Sequence, residues 1–435
     1  MPLLKPAALL AIAVLPVSAI TQTTRHISDA EVVRRVNAYI APFAGRELSG
    51  TLLVARGNRV LIERPFGFSS YELGVQFTTT TPTNIASITK PLTDIIAARM
   101  QEEGLLSWRD TVAKWLPNYI YGSKMTVEQL INHRAGVAHR LLPESQQNVP
   151  RTAQEMVEIA NTVPLLFEPG AKESYSSGGY AILAAVLERA GKQTYDQLLQ
   201  HYVVAPVSAK TIRHVDSRTL LPGRAVSVIP IGDGVLNASL KDLSFLVGAG
   251  SVYTTPHDIF LVMQGLVSGK YGAAARTALV RDNGLHWNGV TSGFRAIADW
   301  YPADSLTVIY FSNLHTGAID LMRRSIPMIA AGDTAAVPAI VPAVKTVALS
   351  PAAQGRIAGN YDTGASVSTI TFASPSLALF GDRAMLALDD STFFSTADYS
   401  RVRFPSDSTG AVRQIEWGPG TWGPQEGPRF PKIRK

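Results

Sequence analysis

Ser87 and Lys90 form an S-x-x-K pair at the head of a helical pattern, and their residue types invite one kind of chemistry. A hydroxyl is a poor nucleophile until something takes its proton. A lysine buried in a cleft loses part of its charge to desolvation, and its neutral amine can accept that proton. Roughly one such pair arises by chance in a chain of this composition, so the surroundings of Ser87 and Lys90 must decide.

The elements that would position them are legible. Ile88, Leu92, Ile95, Ile96 and Met100 recur at three- and four-residue steps, and Gly104 stands where a helix would end. Pro91 fits near a helix start, where backbone N–H groups lack intrahelical partners. The pair is therefore expected in the first turn of a helix, on one face, beside N–H groups and a positive helix end that favour negative charge.

Two later stretches complete the set. Phe167-Glu168-Pro169-Gly170 is a Pro-Gly turn, and Tyr175-Ser176-Ser177-Gly178-Gly179-Tyr180 follows at the mouth of another helix. Trp287-Asn288-Gly289-Val290-Thr291-Ser292-Gly293-Phe294 leads into a strand hairpin.

With these motifs in this order, the chain resembles the penicillin-binding-protein-like serine hydrolases, a family that includes class C β-lactamases, D-alanyl-D-alanine carboxypeptidases and esterases. The resemblance runs from about Leu48 to Asn313, with support from Thr126 to Gly136, Gly248-Ala249-Gly250 and Thr254-Thr255-Pro256-His257-Asp258. It implies that Ser87 is acylated by substrate and that Lys90 and Tyr175 share proton transfer. A tyrosinate beside an ammonium would have a lowered pKa and act as a base. It also implies that the backbone N–H groups of Val290 and Ser87 hold the oxyanion, with Ser177, Trp287, Asn288 and Gly289 lining the substrate site.

Two positions depart from the family pattern. Ser177 stands in place of an asparagine that, in lactam- and peptide-cleaving members, binds the substrate amide. Trp287 stands in place of the Lys or His of the third motif, so the cation that would face a substrate carboxylate is missing there, and Trp-x-Gly resembles the esterase branch. A competing alignment makes His286 the family histidine, but a one-residue shift in a strand turns the side chain to the other face. Arg295 is a candidate replacement cation, although a strand arginine near a sheet edge is more often solvated. His133 reads as structural, Gly248-Ala249-Gly250 lacks a dinucleotide-loop setting, and no G-x-S-x-G elbow occurs.

Composition narrows the classes. The chain has 435 residues, 46% of them hydrophobic and 17% charged, enough for a large core and two domains. With no cysteine, disulfides and thiolate sites drop out, and the eight histidines show no H-E-x-x-H spacing, so neither a metal nor an organic cofactor is expected. A net charge of +6, spread along the chain except at the tail Arg429 to Lys435, reads as solubility and not as nucleic-acid binding.

Lys5, the apolar run Ala7 to Leu15 and Val17-Ser18-Ala19 read as a signal peptide over residues 1–19, with an uncleaved anchor as the alternative. Export to the periplasm or medium is expected, with no membrane-spanning segment after cleavage.

Residues 20–332 are expected to form an α+β hydrolase domain of the β-lactamase/transpeptidase kind: one antiparallel sheet flanked by helices and carrying an all-helical insertion. Ile27 to Phe43 reads as a surface helix. Residues 333–350 read as a linker. Residues 351–435 read as a small all-β domain, with strand-like runs at Val367 to Phe372, Leu377 to Phe380, Met385 to Leu388, Arg401 to Phe404 and Val412 to Trp417. No catalytic constellation is visible in it, which favours a packing or binding module. The expected activity is hydrolysis or acyl transfer on a small ester, amide or peptide. D-amino-acid peptidase or weak β-lactamase activity is the alternative, and a non-catalytic binder of cell-wall fragments is the rival from another class. Oligomeric state is not legible.

Overall fold

At Arg56-Gly57-Asn58 the chain forms a hairpin: β1 (Gly50–Arg56) and β2 (Arg59–Phe66) pair across a turn in which Gly57 takes a φ of 55°, open to a residue without Cβ. The computed structural model describes residues 27–45, 47–231, 234–333, 344–363, 367–419 and 429–433. The signal-peptide segment and most of the expected linker lie outside them.

Three strands from the far end of the domain complete the sheet: β3 (Leu285–Val290), β4 (Arg295–Tyr301) and β5 (Leu306–Ser312), in the order β3-β4-β5-β1-β2. All neighbours are antiparallel, with Gly50 opposite Ser312 and Arg56 opposite Leu306. β1 is an interior strand buried on both faces, and its alternation assigns each side. Leu52 and Val54 join one core, Leu53 and Ala55 the other.

The first core lies under two terminal helices, α1 (Asp29–Ile40) and a later helix over Gly317–Ala330. In α1, Val32, Val36, Tyr39 and Ile40 make the buried stripe, and the Ser28 hydroxyl accepts from Glu31 N–H at 3.3 Å as N-cap. The helix is shorter than the stretch read from the sequence, because a 3₁₀ turn at Ala41-Pro42-Phe43 follows it.

The second core is larger and belongs to the helical insertion: α2 (Thr89–Glu102), α3 (Ser177–Gly191) and α4 (Pro256–Val267) with shorter segments around them. Each fully buried Leu, Ile or Val there contributes about 1.5–3 kcal/mol. Gly104, at φ 71°, follows the C-cap of α2. The cleft opens where the insertion meets the β3 edge. We label the Gly317–Ala330 helix α5.

The C-terminal part, after a short helix over Pro351–Ile357, is an eight-stranded antiparallel meander between Gly359 and Pro431. Tyr361 bridges to Lys432, so the first and last strands approach and nearly close a barrel around Phe393, Phe404 and Trp417. Strands at Gly359–Asp362, Thr392–Ser395 and Arg429–Pro431 are absent from the sequence reading, being only three or four residues long. The last one lies within the basic tail, where Arg429–Pro431 pairs with Gln414–Glu416. This part packs on the hydrolase domain through Thr396 Oγ1 to Pro230 O (2.9 Å) and Tyr399 OH to Glu47 (2.7 Å). No helix among the described residues is long and apolar enough to cross a membrane.

Candidate active site

The turn that carries Ser87 is built from its neighbours. Asn84 is fully buried, and its amide nitrogen donates to Gly250 O (3.0 Å) and Val252 O (3.1 Å). Its oxygen accepts from Ala86 N–H (3.0 Å) and Thr291 Oγ1 (3.2 Å). Ala86 takes a φ of 47°, a left-handed conformation that costs an L-residue about 1–2 kcal/mol. The Asn84 bonds hold it. Ser87 consequently sits in a 3₁₀ turn, Ala86–Ile88, just ahead of α2 and not in its first turn, while Lys90 is the second residue of the helix.

Three side chains converge. Ser87 Oγ is 3.3 Å from Lys90 Nζ and 2.8 Å from the Tyr175 hydroxyl, which donates to it. Lys90 Nζ also reaches Ser177 Oγ (3.2 Å) and Ala249 O (3.0 Å), and lies 4.7 Å from the Tyr175 ring centre. The lysine is 4% exposed, and that burial brings its pKa down to about 7, against a smaller upward pull from the Asp94 carboxylate. A near-neutral amine at hydrogen-bond distance can take the serine's proton. The lowering expected of a tyrosinate is not what these surroundings produce: desolvation pushes the Tyr175 pKa up and the Ser87 hydrogen bond pulls it down.

Tyr175 and Ser177 are placed by the start of α3. The Ser176 hydroxyl caps that helix, accepting from Gly179 N–H at 2.8 Å. Gly178 lies under the loop before it, where a Cβ would stand 2.4 Å from Ala138 O. Two histidines of that loop brace the segment. His133 Nδ1 accepts from Ser176 N–H and His139 Nδ1 from Ser177 N–H, both at 3.2 Å, and both rings pack on Tyr175. Burial, then the Lys90 charge, lowers each to about 4, so they are neutral supports.

The β3 edge faces the serine. Along Leu285–Val290 buried and exposed residues alternate, with Trp287 and Gly289 on the inward side. A Cβ on Gly289 would lie 2.3 Å from Ile85 O and 3.1 Å from Ser87 N, so the strand touches the turn that carries Ser87. Trp287 packs into the helical core and borders the cleft. His286 lies on the opposite face of the strand, with Nδ1 3.1 Å from Asp299 and Nε2 2.9 Å from Asn283 O, although it too borders the cleft. Asn288 Oδ1 is taken up by Arg295. Arg295 itself is 0% exposed and paired with Asp320 at 2.6 Å, so it is neither a solvated side chain nor a receptor in the cleft.

The cleft has a volume of about 900 Å³. Ser87, Lys90, Tyr175, Ser177, Trp287, Asn288 and Val290 all line it, with Gly289 behind Ser87. So do Asp94, His139, His315, Asp382 and Arg383, which the sequence reading did not single out. Asp94 lies one helical turn beyond Lys90 and accepts from the Tyr180 hydroxyl at 2.8 Å, a spacing that could have flagged it. Asp382 and Arg383 come from the C-terminal domain, and no local signal connects them with Ser87. Among the described residues no group of three or more His, Cys, Asp or Glu is arranged to hold a metal ion.

Comparison with known proteins agrees with this architecture. The beta-lactamase family model matches residues 36–325. The putative penicillin-binding protein PbpX of Bacillus subtilis (strain 168) is 22% identical over 285 residues, 62% of this chain and 72% of that protein. AmpH, a D-alanyl-D-alanine-carboxypeptidase/endopeptidase of Escherichia coli (strain K12), is 25% identical over 243 residues, 53% of this chain and 60% of AmpH. Among solved structures, EstCE1, a hydrolase with promiscuous acyltransferase activity, superposes with a TM-score of 0.56 at 19% identity, covering 70% of this chain and 98% of its own. SurE superposes with a TM-score of 0.60 at 18% identity over 93% of this chain and 99% of its own, so the shared fold extends beyond the hydrolase domain.

Proposed function

The chain belongs to the beta-lactamase family, and on that premise we propose that it is a serine hydrolase working through an acyl-enzyme on Ser87, with esters as its preferred substrates. The observation that carries the reading is the convergence of Lys90 Nζ and the Tyr175 hydroxyl on Ser87 Oγ, at 3.3 and 2.8 Å, beside the β3 edge.

In this mechanism Ser87 Oγ attacks the acyl carbonyl carbon as its proton passes to the neutral Lys90 amine. The carbonyl oxygen becomes an oxyanion, held by the backbone N–H groups of Ser87 and Val290. Collapse breaks the bond to the leaving group, which takes a proton from the Tyr175 phenol; Lys90 then returns its proton to Tyr175. Water repeats the sequence on the acyl-serine ester, giving up its proton to Lys90, and the acid leaves. An acceptor alcohol or amine in place of water gives acyl transfer.

The ester preference rests on Trp287 and Ser177. The third-motif position holds an apolar indole, and the short Ser177 hydroxyl is already engaged by Lys90 at 3.2 Å. D-amino-acid peptidase activity is the second reading, favoured by the match to AmpH. Intact-mass measurement of wild type and Ser87→Ala, after a fluorophosphonate, a penicillin and a p-nitrophenyl ester, tests both. An adduct of the fluorophosphonate on wild type alone, with ester turnover, is expected. A long-lived penicillin adduct would favour the peptidase reading, and full ester turnover by Ser87→Ala would overturn the mechanism.

We place the working enzyme outside the cytoplasm, from the signal-peptide pattern of residues 1–19, with residues 20–332 and 351–435 as its two domains. A mature N-terminus at Ile20 is the expected result of sequencing the exported protein.

A further inference from the structure

The C-terminal domain forms one wall of the cleft. Phe380, Gly381, Asp382 and Arg383, a tight turn between two of its strands, border the same cavity as Ser87. That turn is anchored. Asp382 accepts from Ser239 Oγ (2.7 Å), lies 3.3 Å from Lys241 Nζ, and accepts from the Ser292 hydroxyl. Ser292 is two residues past Val290, and two residues of extended chain span at most about 7 Å. The turn is thereby fixed close to where the acyl carbonyl would lie.

Arg383 follows the anchor. Its side chain is 40% exposed, forms a long ion pair with Asp398 at 3.9 Å, outside direct hydrogen-bond distance, and lies 5.6 Å from the Trp417 ring centre, so its N–H donors remain open to a ligand. Asp398 in turn is held by the Trp417 indole N–H at 2.8 Å. Of the other cleft cations, Lys241 lies 3.3 Å from Asp382 and Lys90 3.3 Å from Ser87, while Arg140 approaches Glu144 at the same 3.9 Å. His315, from the segment between β5 and α5, borders the same cavity; it is 7% exposed and its Nε2 has no hydrogen-bond partner. An unpaired buried imidazole nitrogen is costly unless a ligand supplies the partner.

We propose that Arg383 and His315 form a subsite for a substrate carboxylate, so that the C-terminal domain supplies the positive charge missing at Trp287. This deepens the acyl-enzyme reading and rests on it. The guanidinium offers paired N–H donors that match a carboxylate, and a neutral imidazole protonated on Nε2 offers a third. The substrate class that follows is an ester bearing a free carboxylate near the scissile bond.

The test compares matched esters: mono-p-nitrophenyl glutarate against p-nitrophenyl butyrate, with the charge in the acyl part, and 4-carboxyphenyl butyrate against phenyl butyrate, with the charge in the leaving group. Wild type is expected to favour the charged member of one pair by tenfold or more in kcat/KM. Arg383→Ala is expected to abolish that ratio, mainly through KM, Arg383→Lys to keep part of it, and His315→Leu to reduce it. A wild-type ratio near one for both pairs, or a ratio that survives in Arg383→Ala, overturns the subsite. If wild type hydrolyses none of the esters and takes up no fluorophosphonate, the catalytic reading falls separately. Calorimetric titration of 4-carboxyphenyl butyrate and phenyl butyrate then decides the subsite: equal affinities overturn it, and tighter binding of the acid that Arg383→Ala removes supports it.

Discussion

Gly289 lies against Ile85 so closely that a Cβ on the glycine would stand 2.3 Å from the Ile85 carbonyl oxygen. The sheet edge and the nucleophile turn are thus in backbone contact. In the proposed mechanism the N–H groups of Val290 and Ser87 hold the oxyanion together, and that requires residue 289 to have no side chain.

Gly289→Ala should therefore push the strand off the turn and separate the two donors. Loss of one oxyanion donor typically costs a factor of about 10²–10³ in kcat. We expect a fall of that order in ester hydrolysis, with the protein still folded by circular dichroism. Activity within threefold of wild type would mean that the two N–H groups do not act together.

The pH profile follows from Lys90. Burial lowers its pKa to about 7, and the proposed base is the neutral amine, so kcat/KM should rise with pH through about 7 and level above it. The Asp94 carboxylate pulls the lysine's pKa upward. Asp94→Asn removes that pull, so the amine stays neutral to lower pH and the acid limb should move down. Burial raises the Asp94 carboxyl itself to about 7, so it is only partly charged where Lys90 titrates and the downward shift is small; a limb that moves up would exclude Lys90 as the titrating base.

Tyr175→Phe removes the 2.8 Å hydrogen bond to Ser87 and keeps a ring against His133 and His139. General-acid assistance contributes about 10²–10⁴-fold, and the loss should appear in kcat with KM little changed. Because burial raises this phenol, no limb assignable to tyrosinate is expected near neutral pH. A Tyr175→Phe enzyme with wild-type kcat on a p-nitrophenyl ester and on an alkyl ester would remove the residue from the mechanism.

The Arg295–Asp320 pair tests stability apart from chemistry. With Arg295 fully buried and bonded to Asp320 at 2.6 Å, Asp320→Ala leaves a buried charge uncompensated, a loss of about 3–5 kcal/mol. Urea unfolding should show it as a lower midpoint at unchanged slope. The double variant Arg295→Met with Asp320→Leu should recover most of the loss. A single variant as stable as wild type would mean that water reaches the guanidinium.

Much of the site was legible in the chain because its signals are local. The S-x-x-K spacing and the stripe Ile88, Leu92, Ile95, Ile96 and Met100 belong to one helix and its approach, and helical period is a property of adjacent residues. The hairpin at Gly57 and the alternation through Trp287 and Gly289 are local in the same way, which is why the strand pattern alone separates Trp287 from His286 by face.

What the chain could not carry is whatever depends on desolvation and on distant neighbours. Arg295 reads as an edge arginine, yet α5 covers it and brings Asp320 to it. Tyr175 reads as a base beside an ammonium, yet desolvation moves the tyrosine's pKa up and the lysine's down to about 7. Asp382 and Arg383 are nearly three hundred residues from Ser87 in sequence, and only the packing of one domain on the other, through Ser239, Lys241 and Ser292, puts them on the wall of its cleft. Sequence determined the helix, the strands and the order of the motifs; tertiary structure decided which charges are neutralised, which are covered, and which face the substrate, because pKa and exposure are set by what surrounds a group in space.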